Sequence, residues 1–97
     1  MKMETNKVWE LKKNYLIRTV THIQVGKLVA VTDKELVLEK ASWIADTGRF
    51  MNALKDGIEK QADSEIEPFL EKSRVIISRG SIIDAVIYSH DLPTKQK

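Results

Sequence analysis

The chain contains no cysteine. That excludes disulfides and thiolate metal sites, and it fits a reducing compartment. No apolar run approaches the roughly 20 residues a membrane-spanning helix needs. The opening residues, Met1-Lys2-Met3-Glu4-Thr5-Asn6-Lys7, are partly basic but have no apolar stretch of the kind a signal peptide carries. These features predict a cytoplasmic protein without a membrane anchor. Histidine occurs only at His22 and His90, far apart and in no ligand spacing, so no metal site is expected. No Walker loop, nucleophile elbow or zinc-binding helix motif is present, and Gly48 stands alone rather than in a phosphate loop. No catalytic residues and no cofactor are assigned, and a binding protein is expected rather than an enzyme. Neither an internal repeat nor a low-complexity segment interrupts the chain.

What is present is one domain's worth of sequence. Ninety-seven residues suffice for a single domain, read here as 1–97, with 1–14 as a lead-in and 91–97 as a frayed basic tail. A domain this small buries only about 60–65% of its unfolded surface, so its own core is thin and a homo-oligomer is expected. The net charge is +2, too weak to indicate nucleic acid by itself. Its distribution is uneven: residues 1–34 carry a net +4, residues 35–71 a net −5 and residues 72–97 a net +3. This describes either a solvated surface, a basic face for anions, or matching charge between subunits.

Five segments have the β-branched and aromatic content of strands: 15–22, 25–32, 35–41, 73–78 and 82–88. Asp33-Lys34 makes one turn, and Gly80 is placed to supply positive φ in another. Val75-Ile76-Ile77 and Leu36-Val37-Leu38 do not alternate, so their strands are expected to be covered on both faces. One short helix is expected between the third and fourth strands, capped by Asp46 or Thr47 and ended by Gly57. Phe50, Met51 and Leu54 share one of its faces. Residues 58–72 are acidic, contain Pro68 and read as a surface connection. Residues 7–13 fit either a helical turn or an extended lead-in. The expected fold is therefore mainly β, a small bent antiparallel barrel of five strands.

The segment from Trp43 to Phe50 is the leading candidate site. Thr47 and Gly48 would present amides at a helix start, Arg49 adds positive charge and Trp43 offers a stacking face. The same residues also suit a cap, core packing and an ion pair. Arg18 lies within an apolar strand and needs a partner, for which Asp46, Asp84 or a ligand phosphate would serve. Arg79 sits at the late turn, where it can hold the turn or contact a neighbour.

Two resemblances follow from these residues. Gly26, Leu28, Asp33 and Leu36-Val37-Leu38, with Ile76-Ile77-Ser78-Arg79-Gly80-Ser81-Ile82-Ile83, resemble the two signatures of Sm, LSm and Hfq proteins. The resemblance implies an Sm-like or SH3-like barrel, a ring of subunits and Arg79 facing phosphate in a pore. The glycine-to-aspartate spacing departs by one residue, and Val37 stands near the place of the base-reading asparagine. Uridine specificity therefore does not follow. Separately, Trp43-Ile44-Ala45-Asp46-Thr47-Gly48-Arg49-Phe50, with Ile17-Arg18-Thr19-Val20-Thr21-His22 and Leu92-Pro93, resembles a family of small phage proteins. That class includes oligomeric sponges for nucleotide immune signals. Three functions are thus expected in order: a homo-oligomeric nucleotide binder in the host cytoplasm, a ring binding single-stranded RNA, and a structural or protein-interaction module.

Overall fold

The computed structural model describes residues 8–97. Six strands form one antiparallel sheet: β1 Asn14–Thr19, β2 Ile23–Val31, β3 Glu35–Asp46, β4 Glu65–Pro68, β5 Arg74–Ser78 and β6 Ile82–Ile87. One α-helix, α1 Phe50–Asp56, and a short 3-10 turn, Ile58–Lys60, lie between β3 and β4. A second 3-10 turn, Arg79–Ser81, joins β5 to β6. Among these described residues no helix is long and apolar enough to cross a membrane.

The hydrogen-bonded order is β4-β3-β2-β1-β6, and β5 pairs with the same outer edge of β3 as β4 does. β3 is long enough for both. Its first half, from Glu35 to Glu39, pairs with β5, and its second half, from Ser42 to Asp46, pairs with β4. This topology forces the sheet to curl. Laid flat, β5 and β6 would stand four strand spacings apart, roughly 19 Å. Three residues in 3-10 geometry advance only about 6 Å. The Arg79–Ser81 turn nevertheless connects the two strands, and it touches both ends of the sheet: Arg79 N–H donates to Lys34 O at 2.8 Å and Val20 N–H donates to Ser81 O at 3.0 Å. No ladder joins β6 to β4 or β5, so the sheet is curled but open along one seam.

The bend is made in β2 and β3. The register of β2 against β3 slips between Val25 and Lys27 and again between Leu28 and Ala30. Opposite the first slip, Lys40 takes the left-handed φ of 52°. Bulges of this kind raise twist and turn a strand. Gly26 permits the close approach, because a Cβ there would lie 2.9 Å from Ala41 Cβ and 3.2 Å from Leu38 Cβ.

Two cores result, one on each face. Inside the curl, Tyr15, Ile17, Leu28, Leu36, Leu38, Ala41 and Ile77 are buried. Outside it, Leu16, Val25, Ile44 and Ile66 pack with Ala53 and Ile58 of the helical segment and with Tyr88. The expectation that Val75-Ile76-Ile77 and Leu36-Val37-Leu38 are covered on both faces is corrected, since β5 is an edge strand with Ile76 63% exposed and Val37 is only half-buried between the buried Leu36 and Leu38. The run buried on both faces is in β1, with Leu16 on one and Tyr15 and Ile17 on the other. The outer cover comes from this chain's own helix. A seven-residue helix is marginal alone, so α1 depends on this packing.

Several expectations are corrected. The first hairpin turns at Val20–His22, because Thr19 closes it: Thr19 N–H donates to His22 O at 2.8 Å, and His22 N–H donates to Thr19 Oγ1 at 3.1 Å. β3 continues past Ala41 to Asp46, so Trp43 lies on a strand. Residues 58–72 are not a plain connection, since Ile58 and Ile66 are fully buried and Glu65–Pro68 is a strand. Neither Asp46 nor Thr47 caps α1. The preceding residue is Arg49, without a side-chain cap, while Asp46 Oδ1 accepts from Gly48 N–H at 2.8 Å. Met51 is exposed, and Phe50, Ala53 and Leu54 form the packed face instead. Gly80 has no positive φ, being part of the 3-10 turn. Residues 91–97, expected to fray, lie along β4: Ile66 N–H donates to Lys97 O at 2.8 Å and Pro93 is buried. Of the ambiguous segment 7–13, residue 7 lies outside the described residues. The remainder is irregular, and Trp9 meets Tyr15 edge to face at 5.2 Å.

Candidate functional site

Register decides which sequence candidates meet. Directly opposed residues of an antiparallel sheet share a face. Ile17, Gln24, Trp43 and Glu67 form one such row, on the inner face. Arg18, Ile23, Ile44 and Ile66 form the adjacent row, on the helix-covered face. Trp43 and Arg18 therefore project from opposite faces. Both nevertheless border the same end of the sheet. A cleft of about 360 Å³ includes Trp43, Glu65, Glu67 and Lys97, and one of about 350 Å³ includes Arg18, Thr21 and Ile83. His22, Ile23, Ile44 and Ala45 belong to both.

Arg18 finds Asp84, its direct cross-strand neighbour. The guanidinium grips both carboxylate oxygens, Nε to Oδ1 at 2.7 Å and a second contact from the terminal nitrogen to Oδ2. Its Cζ also lies 5.6 Å from the centre of the Phe50 ring, over the helix start. The Arg18 hydrogen bonds hold the Asp84 carboxyl below its ordinary value, against a smaller desolvation, and Coulombic attraction adds to them. The same hydrogen bonds and charge raise Arg18. Both side chains are about half exposed, so the pair aligns β1 with β6 more than it stabilises the fold.

Trp43 is 41% exposed and sits in an aromatic strip. His22 stacks on it at 4.3 Å with the planes 20° apart, and Phe69 approaches edge-on at 6.1 Å. Thr21 Oγ1, 2.7 Å from His22 Nδ1, orients the imidazole. A groove of about 330 Å³ continues from Trp43 past Glu67 and Phe69 to the exposed Leu70. Beside Trp43 in its row, Gln24 is nine-tenths buried with a carbonyl oxygen that has no hydrogen-bond partner among the described residues.

The other candidates lie apart. Thr47 is buried, and Gly48 turns with φ 68° against Gln61 and Asp63. Arg49 is exposed, borders neither cleft, and makes no side-chain hydrogen bond or ion pair among the described residues. Arg79 is at the far turn, where Nη1 donates to Thr32 O at 2.7 Å and holds the β2–β3 connection. Sequence reasoning missed His22, Glu67 and Phe69 as companions of Trp43. The alternation Glu65-Ile66-Glu67-Pro68-Phe69 was the available signal, since period two with one apolar position marks a strand edge.

No group of three potential metal-ligating side chains occurs among the described residues. No protein-family model matches the chain, and no curated protein or solved structure is significantly similar to it. The resemblances to Sm-like proteins and to small phage proteins accordingly rest on the residues quoted for them.

Proposed function

We propose that this chain is a non-catalytic, homo-oligomeric nucleotide-binding protein, with Trp43 at the centre of its site. The observation that carries this reading is the exposed Trp43, already stacked by a flat ring and placed at the mouth of a curled sheet. Base–aromatic stacking is worth about 1–3 kcal/mol per base and needs an accessible π-face. Arg49, exposed and without a side-chain partner among the described residues, lies outside both clefts, so it meets a phosphate only where the ligand extends beyond them.

Assembly follows from the two sheet edges. Among the described residues β5 pairs only with β3 and β6 only with β1, so each offers an edge that no other described strand pairs. Both carry exposed apolar side chains, Ile76 on β5 and Ile83, Val86 and Ile87 on β6. Unprotected edges of this kind recruit another strand. Pairing the β5 edge of one copy with the β6 edge of the next is heterologous, and it closes into a ring when the rotation allows. In this reading β1, β2, β3, β5 and β6 are the five strands of an Sm-like or SH3-like barrel, and β4 with α1 is the insertion.

A sponge for nucleotide signals in a host cytoplasm, as the phage-protein resemblance implies, requires binding without turnover. Calorimetric titration with cyclic di- and trinucleotides and ADP-ribose derivatives tests it. The expected result is saturable heat with at least one of them and chromatographic recovery of that ligand unchanged. A hydrolysed ligand refutes the non-catalytic reading. The same open edges also favour an RNA-binding ring. That alternative predicts a gel shift of single-stranded RNA that collapses as salt rises, with no binding of mononucleotides.

A further inference from the structure

We infer that the Trp43 cleft selects a guanine base, read by the Glu67 carboxylate. The inference rests on the nucleotide-binding reading above and adds the identity of the base. Trp43 and Glu67 are direct cross-strand neighbours on one face, with Cβ atoms about 5 Å apart by ladder geometry. A flat ring lying against the indole therefore presents an edge to that carboxylate. The cleft's two carboxylates are acceptors only, and its lining also holds the polar side chains of His22 and Gln96. Glu65 and Glu67 both border the cleft, and no ion pair among the described residues engages either. The one ammonium on its wall, Lys97 Nζ, is spent: it donates to Glu59 O at 3.0 Å, to Ser64 Oγ at 2.9 Å and to Gln61 O. Two carboxylates with a committed lysine repel a phosphate, so the phosphate end of a nucleotide points away from this cleft.

A carboxylate beside the stacking ring favours a base edge made of donors. Guanine presents N1–H and the N2 amino group side by side, a pair that one carboxylate accepts bidentately. Adenine places the N1 lone pair there, cytosine the N3 lone pair, and uracil flanks its single N–H with two carbonyl oxygens. Each of these sets lone pairs against the carboxylate.

Fluorescence titration tests this. Replacing Trp9 by Phe leaves Trp43 as the only tryptophan. Guanosine monophosphate is expected to quench it at a concentration at least tenfold lower than adenosine monophosphate. Inosine monophosphate, which lacks the N2 amino group, should fall between them. Glu67→Gln should abolish the preference while circular dichroism stays unchanged. Calorimetry of the wild-type chain with the same three nucleotides gives the order without relying on the Trp9 variant. Equal affinity for all three refutes guanine selection and leaves nucleotide binding standing. Nucleotide heat without any change in Trp43 emission refutes the assignment of the site. No response to any nucleotide, with saturation by an arginine-rich peptide instead, refutes both readings and identifies the cleft as a cation site.

Discussion

Replacing Gly26 by Ala adds one methyl group at the first register slip between β2 and β3. That methyl would sit 2.9 Å from Ala41 Cβ, 3.1 Å from Ala41 Cα and 3.2 Å from Leu38 Cβ. Carbon atoms rest at about 3.5–4.0 Å, so β2 and β3 must separate by about half an ångström or more. Two of the three obstructing atoms are β-carbons fixed to backbone, so no flexible side chain can yield. Overpacking a tight core costs about 1–3 kcal/mol. Against it stands the entropy that Gly→Ala removes from the unfolded chain, worth about 0.4–1 kcal/mol where the backbone suits alanine. Gly26 has no left-handed φ, so that gain applies. The net expectation is a loss of about 1–2 kcal/mol. Gly80→Ala is the control. It also lacks positive φ, and its nearest non-adjacent neighbour is Ser78 Oγ at 3.8 Å, so it should be neutral or slightly stabilising. Urea unfolding at one fixed protein concentration reads both. With a slope near 1 kcal/mol per molar, Gly26→Ala should lower the midpoint by roughly 1–2 M. A Gly26→Ala midpoint equal to or above that of Gly80→Ala would refute the close approach of β2 and β3.

Other expectations are separately testable. Tyr88→Phe leaves the buried Ile58 N–H without its acceptor at 2.9 Å and should cost about 1–3 kcal/mol in the same unfolding assay. Burial pushes the Tyr88 phenol above its ordinary value, against a smaller opposing effect of the Ile58 hydrogen bond. Its contribution to stability is complete below the unfolded tyrosine range and declines as pH rises towards the folded value, and ultraviolet titration should show one late-ionising phenol. Asp84 is shifted the other way. Its contribution is present at neutral pH and disappears as pH falls below the ordinary carboxylate range, so Asp84→Asn should flatten the acid limb of the stability profile. Ile76→Glu and Ile83→Glu alter exposed edge residues, 63% and 62% accessible, and light scattering should show monomers that keep the wild-type circular dichroism.

Much of the fold was legible because strand chemistry is local. Tyr15-Leu16-Ile17 and Leu36-Val37-Leu38 carry the β-branched and apolar content of their strands, but lack of alternation was a false sign of two covered faces at Val75-Ile76-Ile77, because β5 lies at a sheet edge with Ile76 exposed. The extension of β3 was hidden because it runs through Lys40 at positive φ, a conformation set by the bulge rather than by lysine. β4 was hidden because four residues with a single buried side chain, Ile66, give too little pattern, and its pairing is non-local. The helix start was misplaced because Asp46 is a good cap by type, yet its carboxylate is used two residues on, at Gly48. Of the candidate site, the Arg18–Asp84 pair was readable as an arginine and an aspartate each interrupting an apolar strand. The strip of His22, Trp43 and Phe69 was not, because its members come from three elements and only register brings them together.

Parallel calorimetric titration of the wild-type chain and Trp43→Ala, with one panel of nucleotides, bears most directly on the central claim. The indole is exposed, so its loss should leave folding intact. Saturable heat is expected from the wild-type chain and an at least roughly fivefold weaker affinity from the variant, as the loss of a stack worth about 1–3 kcal/mol requires. Equal heats from both chains, or no heat from either, would contradict it.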